Sequence, residues 1–188
     1  MNGVGQSIDF ISLPLAIKLR DHLLAMEQSG SLFEAGIGQQ SDFHRDAHYR
    51  RDKICWLEPS GDHALERLFF KQMDDFVTYL NATCFTGVSS YEFHYALYEK
   101  GSFYRKHIDR FADDDRRMFT MILYLNDMWT EGDGGELVIY HPHRREVIAP
   151  RMGTMVFFDS SALPHEVLET QVPRYSITGW LKRKDLFF

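Results

Sequence analysis

Residues 91–98 read YEFHYALY and contain the clearest strand signal in the chain. The odd-numbered residues from Tyr91 to Leu97 fall on one face of an extended segment, and the even-numbered residues from His94 to Tyr98 on the other. Further short strands with turn residues between them are predicted at 118–125, 136–140, 154–158, 166–170 and 174–182. Because no helical crossover separates these strands, the sequence predicts an antiparallel sandwich or barrel.

Two amphipathic helices are predicted before these strands. Apolar residues recur at helical spacing from Leu13 to Gln28, with Pro14 in the first turn. A second apolar stripe runs from Leu65 to Leu80, and Asp62 is its expected N-cap. The predicted fold class is therefore mainly β (α+β), with N-terminal supporting helices packed on a jelly-roll of about eight strands.

Length and composition favour one domain that needs no membrane. The 188 residues contain no repeat and no Gly/Ser/Pro-rich linker, so we predict a single domain over 1–188. A net charge of -6 leaves no sequence-wide basic field, which argues against nucleic-acid binding. Cys55 and Cys84 are expected to be buried thiols in a reducing compartment, and no apolar run reaches membrane-spanning length. We expect a cytoplasmic location.

Two of the 9 histidines stand in His-x-Asp pairs, which are candidate metal ligands. His44 and Asp46 lie in the polar stretch 39–53, where a solvated surface is the simpler interpretation. His107 and Asp109 follow a strand-like segment, and residues i and i+2 of such a segment point to the same side. One imidazole and one carboxylate can therefore reach the same metal ion at the second pair.

A third ligand is available at His165, at the start of another predicted strand. Two histidines and one carboxylate on one face of an octahedron leave three positions open, which is the arrangement of non-haem Fe(II) oxygenases. Spacing alone leaves an alternative equally open, namely a structural ion pair between His107 and Asp109 with a histidine at the rim at position 165.

Arg174 favours the metal site over the ion pair. It lies on the predicted last strand, with Ser176 and Thr178 on the same face. A buried arginine is costly unless it meets an anion, and its planar guanidinium suits a carboxylate held by two hydrogen bonds. The sequence therefore predicts a site for a metal-chelating dicarboxylate.

Five short motifs occur in the order HID at 107–109, YLN at 124–126, GGEL at 134–137, MVFFDSSALPHEV at 155–167 and RYSITGW at 174–180. Together with RRDKICWLE at 50–58, they resemble the Fe(II)/2-oxoglutarate-dependent dioxygenases. Within that superfamily they resemble the prolyl 4-hydroxylases of the EGL-nine (hypoxia-inducible-factor) type and their bacterial relatives. The resemblance implies a double-stranded β-helix (jelly-roll) catalytic core over 88–183 and a helical support and substrate-loop region over 1–87.

The same resemblance implies roles for individual residues. His107, Asp109 and His165 would bind iron, and Arg174 would pair with the distal carboxylate of 2-oxoglutarate. These four are the expected catalytic residues, and the expected cosubstrate pocket also contains Tyr98, Tyr124, Leu137, Ser176 and Thr178. The family further implies O2 as a cosubstrate and ascorbate as a candidate reductant.

Substrate contacts are expected from three places. Arg117 matches a rim arginine that contacts the peptide in the family, and Arg51 and Asp52 match a loop that closes over it. His94 replaces an apolar residue of the family on the pocket face. A fourth ligand would spoil an open metal site, so His94 is interpreted as a neighbour of the ligands, as a substrate contact or as a packed strand histidine.

The sequence thus predicts a dioxygenase that hydroxylates a prolyl residue in a protein or peptide substrate and releases succinate and CO2. Two alternatives stay open. One is a 2-oxoglutarate oxygenase that acts on a small molecule or on another side chain. The other is a non-catalytic jelly-roll module that binds a metal for structure or sensing.

Overall fold

A computed structural model of the chain describes residues 3–36, 46–110 and 116–184, which form two helices and eleven strands. The helices are α1 (Leu13–Gln28) and α2 (Ala64–Cys84). The strands are β1 (Val4–Ser7), β2 (Phe33–Glu34), β3 (Lys53–Trp56), β4 (Val88–Tyr98), β5 (Tyr104–His107), β6 (Arg117–Tyr124), β7 (Leu137–Tyr140), β8 (Arg145–Ile148), β9 (Met155–Asp159), β10 (His165–Val167) and β11 (Arg174–Arg183). Within these described ranges, neither helix is long and apolar enough to span a bilayer.

Antiparallel pairing arranges the strands in two sheets. The major sheet has the order β1-β9-β6-β11-β4-β3-β2, and the minor sheet has the order β5-β10-β7-β8. From β4 to β11 there are eight strands in the described chain, which confirms the predicted jelly-roll. The remaining three, β1, β2 and β3, were not predicted, and they extend the major sheet at its two edges.

Helix α1 begins and ends at the predicted residues, because its local signals agree. Ser12 is the N-cap, and its hydroxyl accepts a hydrogen bond from the Leu15 amide at 3.4 Å. The expected N-cap of α2 was Asp62, and this is wrong by one residue: His63 occupies the cap. Asp62 lies just outside the helix, where its carbonyl oxygen accepts a hydrogen bond from Arg67.

The alternation predicted for residues 91–98 separates two layers of the core. Phe93 and Tyr95 of β4 face the helices and pack in one cluster with residues such as Leu19 and Phe69. The even-numbered residues of β4 face the space between the two sheets, where Ala96 and Tyr98 are buried. His94, Ala96 and Tyr98 on this second face of β4 line the cavity described below.

Three predictions about burial need correction. Cys84 is exposed and Cys55 is half-buried, because the first ends α2 and the second lies on the short strand β3. His44, which was interpreted with Asp46 as part of a solvated surface, lies outside the described residues. The polar stretch 39–53 is not solvated throughout, because the side chain of Asp52 is buried at its end.

Candidate active site

His107, Asp109 and His165 meet at one end of the minor sheet. His107 ends β5 and His165 begins β10, and the two residues are direct partners across this strand pair. Asp109 follows two residues after β5. Its carboxylate oxygens lie 3.3 Å from His107 Nε2 and 3.3 Å from His165 Nε2. The ligand atoms of the three side chains all lie within 4.8 Å of one another.

Hydrogen bonds orient these three side chains from behind. The Nδ1 atom of His107 lies 2.7 Å from the Arg105 carbonyl oxygen, and that of His165 lies 3.0 Å from the Leu163 carbonyl oxygen. Each Nδ1–H therefore donates to the backbone and leaves Nε2 as the lone-pair atom, which is the usual state of a metal-ligating histidine. The Thr120 hydroxyl donates to Asp109 Oδ2 at 2.7 Å and lies 2.9 Å from the Ser160 hydroxyl.

The charges of the cluster are strongly coupled. Burial by itself raises the pKa of Asp109, but the two histidines outweigh it and hold that pKa well below the usual value for an aspartate. Burial and the neighbouring His165 lower the pKa of His107. Asp109 is consequently ionised and His107 neutral, as metal binding requires. Against the effect of burial, Asp109 raises the pKa of His165, so a metal ion competes with a proton for that imidazole.

The donor set fits a divalent cation with open coordination positions. The centroids of the two imidazole rings lie 4.3 Å apart with an interplanar angle of 57°, and both Nε2 atoms face the Asp109 carboxylate. One side of His107 is covered by the Tyr104 ring at 3.6 Å, and His165 packs on the edge of Phe158 at 4.8 Å. Two histidines and one carboxylate on a shared face suit Fe(II) with three positions left for other ligands.

Arg174 is buried at the start of β11, on the major sheet. Its Nε donates to the Gly135 carbonyl oxygen at 2.8 Å, and its Nη1 donates to the Ser176 hydroxyl at 3.3 Å. Gly135 has a φ of +74°, and a Cβ at this position would lie 3.0 Å from Arg174 Cδ. The second glycine of the GGEL motif therefore gives the arginine side chain its room.

Polar groups around Arg174 are arranged for an anion. The guanidinium lies 4.8 Å from the Tyr98 ring and 5.0 Å from the Tyr124 ring. Within the described residues, the buried Tyr124 hydroxyl has no hydrogen-bond partner. A buried hydroxyl is costly without a hydrogen-bond partner, and a buried guanidinium is costly without a counter-charge. The carboxylate of a bound diacid would supply both. This unpartnered hydroxyl is the observation on which a cosubstrate site rests.

Four of the six predicted cosubstrate residues line one cavity together with the metal cluster. Its wall includes Tyr98, Leu137, Arg174 and Thr178 and the three residues of the cluster. Tyr124 and Ser176 are not part of this wall, although both contact Arg174. The cavity has a volume of about 40 Å³, whereas a groove on the other side of Arg174, beside Trp129, measures about 410 Å³. We assign the cosubstrate to the smaller cavity because that cavity contains the metal cluster. A five-carbon diacid can enter it only if side chains in its wall move.

Arg50 lines this cavity, although the sequence did not predict a place for it in the site. Its guanidinium lies 4.3 Å from the Tyr104 ring and forms two hydrogen bonds with Asp52, at 2.8 and 2.6 Å. The neighbouring Arg51, which was expected to contact substrate, is exposed and donates to the Ala47 carbonyl oxygen at 2.6 Å. Of the two adjacent arginines, Arg50 therefore lines the cavity and Arg51 is exposed.

Arg117 and His94, which were also expected to contact the substrate, already contact side chains of this chain. Arg117 lies 3.4 Å from the Trp180 ring and 2.9 Å from the Glu92 carboxylate. His94 is buried in the cavity wall, with Trp56 at 4.9 Å and Trp180 at 5.6 Å between ring centroids. Its Nδ1 has no hydrogen-bond partner among the described residues, and burial lowers its pKa to about 3, so the imidazole is neutral.

A jelly-roll with two histidines and an aspartate beside a buried arginine defines a class, the non-haem iron oxygenases that use a diacid cosubstrate. Comparison with known families agrees with this class. Residues 93–182 match the family described as the 2OG-Fe(II) oxygenase superfamily. The chain belongs to this superfamily, and it is prolyl-hydroxylase-like within it.

Three relatives place the chain more closely. A crystal structure of a Pseudomonas putida prolyl-4-hydroxylase is 34% identical with a TM-score of 0.87, and the match covers 98% of this chain and 95% of that one. A Trichoplax adhaerens prolyl hydroxylase in complex with a hypoxia-inducible-factor peptide fragment is 25% identical with a TM-score of 0.87, over 97% and 84% of the two chains. Human Egl nine homolog 1 is 30% identical over 92% of this chain, and the chain spans 42% of that relative.

Proposed function

We propose that this protein is an Fe(II)- and 2-oxoglutarate-dependent dioxygenase that hydroxylates a prolyl residue in a protein or peptide. The observation that carries the proposal is one buried cavity that contains both the His107, Asp109 and His165 cluster and the arginine at 174. Both cysteines are unpaired, which supports a reducing, cytoplasmic location. In this proposal the whole described chain acts as a single catalytic domain.

The two sheets contribute different parts of the proposed site. His107, Asp109 and His165, at the end of the minor sheet, would hold Fe(II), which supplies O2 activation coupled to the oxidation of 2-oxoglutarate to succinate and CO2. Arg174, on the major sheet, would orient the far carboxylate of 2-oxoglutarate, and Tyr124 would donate its hydroxyl to that carboxylate. Asp109 contributes charge and orientation and transfers no proton, because its pKa is held far below neutrality. Burial of the cavity excludes water from the oxidation.

Prolyl hydroxylation is favoured over a small-molecule reaction by the relatives. The Pseudomonas putida protein is a prolyl-4-hydroxylase, and the match covers nearly all of both chains. The Trichoplax adhaerens enzyme is seen with a peptide fragment. The residues of this chain that would form a peptide-binding wall are Arg50, His94 and Trp180, which line the cavity beside the metal cluster.

The first experiment measures succinate formed from 2-oxoglutarate in the presence of Fe(II), with ascorbate as reductant. Host cells with and without the gene are then compared by peptide mass spectrometry for prolyl residues that gain one oxygen atom. We expect at least one such residue to depend on the gene and on His107. Turnover of 2-oxoglutarate without any prolyl product would support the small-molecule alternative, and no turnover with any substrate would support the non-catalytic module.

We also propose that His94 contacts the substrate and not the cosubstrate. Its buried Nδ1 lacks a partner among the described residues, and Trp56 and Trp180 hold the ring in place. His94→Leu should raise the KM for the peptide by about 5- to 30-fold, because a neutral hydrogen bond is worth about 1 kcal/mol and its loss leaves the partner unpaired. The KM for 2-oxoglutarate should be unchanged. An equal rise in both constants would contradict this role.

A further inference from the structure

A second cluster of metal-ligating side chains lies outside the proposed active site, where both helices meet the major sheet. It consists of His22 on α1, His63 at the N-cap of α2 and Glu66 in the first turn of α2. Their ligand atoms all lie within 4.8 Å of one another, and His22 Nε2 is 3.4 Å from Glu66 Oε1. Across residues 3–36, 46–110 and 116–184, this cluster and the proposed active site are the two groups of this kind.

The position of the cluster is unusual for its residue types. The side chain of Glu66 is 12% exposed and that of His22 is 20% exposed, so a carboxylate and an imidazole are held together away from solvent. His63 occupies the N-cap, where Ser, Thr, Asp or Asn would be preferred, and its side chain makes no capping hydrogen bond. The His63 imidazole therefore does not cap the helix, and it stacks on the His22 ring with 3.7 Å between the ring centroids.

Tyr95 gives an independent indication that a ligand is missing from this place. It lies fully buried beneath the cluster, with its ring edge-on to His22 at 5.8 Å between centroids. Its hydroxyl has no hydrogen-bond partner among the described residues. A buried hydroxyl without a partner costs about 1–3 kcal/mol, so a bound ion or its water at this point would remove the cost. Cys55 lies opposite Tyr95 on β3 and shares this face of the sheet.

We propose that His22, His63 and Glu66 form a second divalent-metal site, suited to Zn²⁺, that joins α1 to α2. Two imidazoles and one carboxylate are a common protein ligand set for zinc, with a fourth position filled by water. That water would give the Tyr95 hydroxyl its partner. The ion would link the two helices, and the inference does not depend on the function proposed above.

One movement is required for the ion to bind. The rings of His22 and His63 are within 18° of parallel, whereas two imidazoles on one ion must point their lone pairs at a common centre. His63 is exposed, so its ring is able to tilt out of the stack at little cost. His22 and Glu66 are held by the surrounding helices and already face each other.

The test counts zinc ions per chain, because the proposed active site also binds divalent metals. Elemental analysis and titration calorimetry should give two Zn²⁺ per wild-type chain and one in the His107→Ala/His165→Ala double variant. His63→Ser removes the ligand but supplies a preferred N-cap residue, so the helix is preserved. In the wild-type background it should leave one Zn²⁺ per chain. In the double variant it should weaken the remaining binding by at least about 10- to 100-fold.

His143→Ser is the matched control, because this histidine is exposed in the turn between β7 and β8. It should leave both zinc counts unchanged. Zinc at about 100 times Kd should also raise the Tm of the double variant by about 5–10 °C, and His63→Ser should abolish that rise. Glu66→Gln, which keeps the side-chain volume, should weaken binding as His63→Ser does.

The proposal is wrong if the double variant binds no zinc, or if His63→Ser and Glu66→Gln leave its affinity unchanged. In that case His22 and Glu66 are a half-buried polar pair with a histidine stacked on it. Because wild type and His63→Ser are compared as well, the count decides the question even where the double variant does not fold.

Discussion

At the scale of single residues, the proposed function makes Arg174 the residue that selects the cosubstrate. Its guanidinium is fixed by the Gly135 carbonyl and by the Ser176 hydroxyl, and its remaining N–H groups would donate to the bound diacid. Arg174→Lys keeps the charge but replaces a planar fork by a point charge. We expect the KM for 2-oxoglutarate to rise by about 10- to 100-fold, the worth of a charged hydrogen bond, while the iron requirement is unchanged. Equal effects on both, measured through succinate release, would refute this assignment.

Thr120 illustrates a residue that acts through another. Its hydroxyl donates to Asp109 Oδ2 at 2.7 Å, on the side away from His107. Thr120→Val has the same shape but cannot donate, so the carboxylate loses its orientation and iron affinity should fall by about 10- to 100-fold. Thr120→Ser keeps the hydroxyl and should restore most of the affinity. The Kd for Fe(II) or Mn²⁺ is the measurement, and a Ser variant as weak as the Val variant would show that packing and not the hydrogen bond matters.

At the scale of the secondary-structure elements, the segment that leads into β3 is held by a buried ion pair. The side chain of Asp52 is fully buried and that of Arg50 is 11% exposed. Asp52→Asn leaves a buried guanidinium without its counter-charge, and we expect a loss of about 3–5 kcal/mol in the free energy of unfolding. Lys53→Gln is the matched control, since the Lys53–Glu99 pair is exposed and should contribute less than about 1 kcal/mol. Denaturant unfolding that shows equal losses would contradict the difference.

The elements also show where sequence reasoning works. Helix α1 and strand β4 could be predicted because a cap, a period and a burial pattern agree over many residues. Strands β1, β2, β3 and β8 were missed because each has two to four residues and lies at or near a sheet edge, where no alternation can develop. Register and short side-chain contacts decide such elements, and a sequence without coordinates contains neither.

The candidate site also contains residues that could be predicted from the sequence and residues that could not. The motif with His107 and Asp109 could be separated from the one with His44 by its strand context, and the structure brings His107 to the side of His165. The inward role of Arg50 could not be found, because in the run of residues 50–53 only the local backbone decides which of two adjacent arginines points inward. Thr120 was missed for a similar reason, since a threonine on a buried strand has no signature until its partner is known.

At the scale of the whole molecule, the proposed site lies between the two sheets. The His107, Asp109 and His165 cluster belongs to the minor sheet and its loop, whereas Arg174 and Tyr124 belong to the major sheet. A metal alone touches one sheet. A metal-chelating diacid that also reaches Arg174 connects both sheets, so its binding should stabilise the entire jelly-roll.

This connection predicts an order in thermal stability that is independent of turnover. Mn²⁺ alone should raise the Tm, 2-oxoglutarate alone should have little effect, and the two together should raise it by about 5–10 °C beyond Mn²⁺ alone at 100 times Kd, because the diacid requires the metal for its tightest binding. His107→Ala should abolish the effect of both ligands, whereas Arg174→Lys should reduce the added effect of 2-oxoglutarate to about half or less and leave the effect of Mn²⁺ unchanged. Differential scanning calorimetry measures these shifts. A rise with 2-oxoglutarate that is equally large without metal would mean that the diacid binds elsewhere, and the groove of about 410 Å³ beside Trp129 would then be the place to examine.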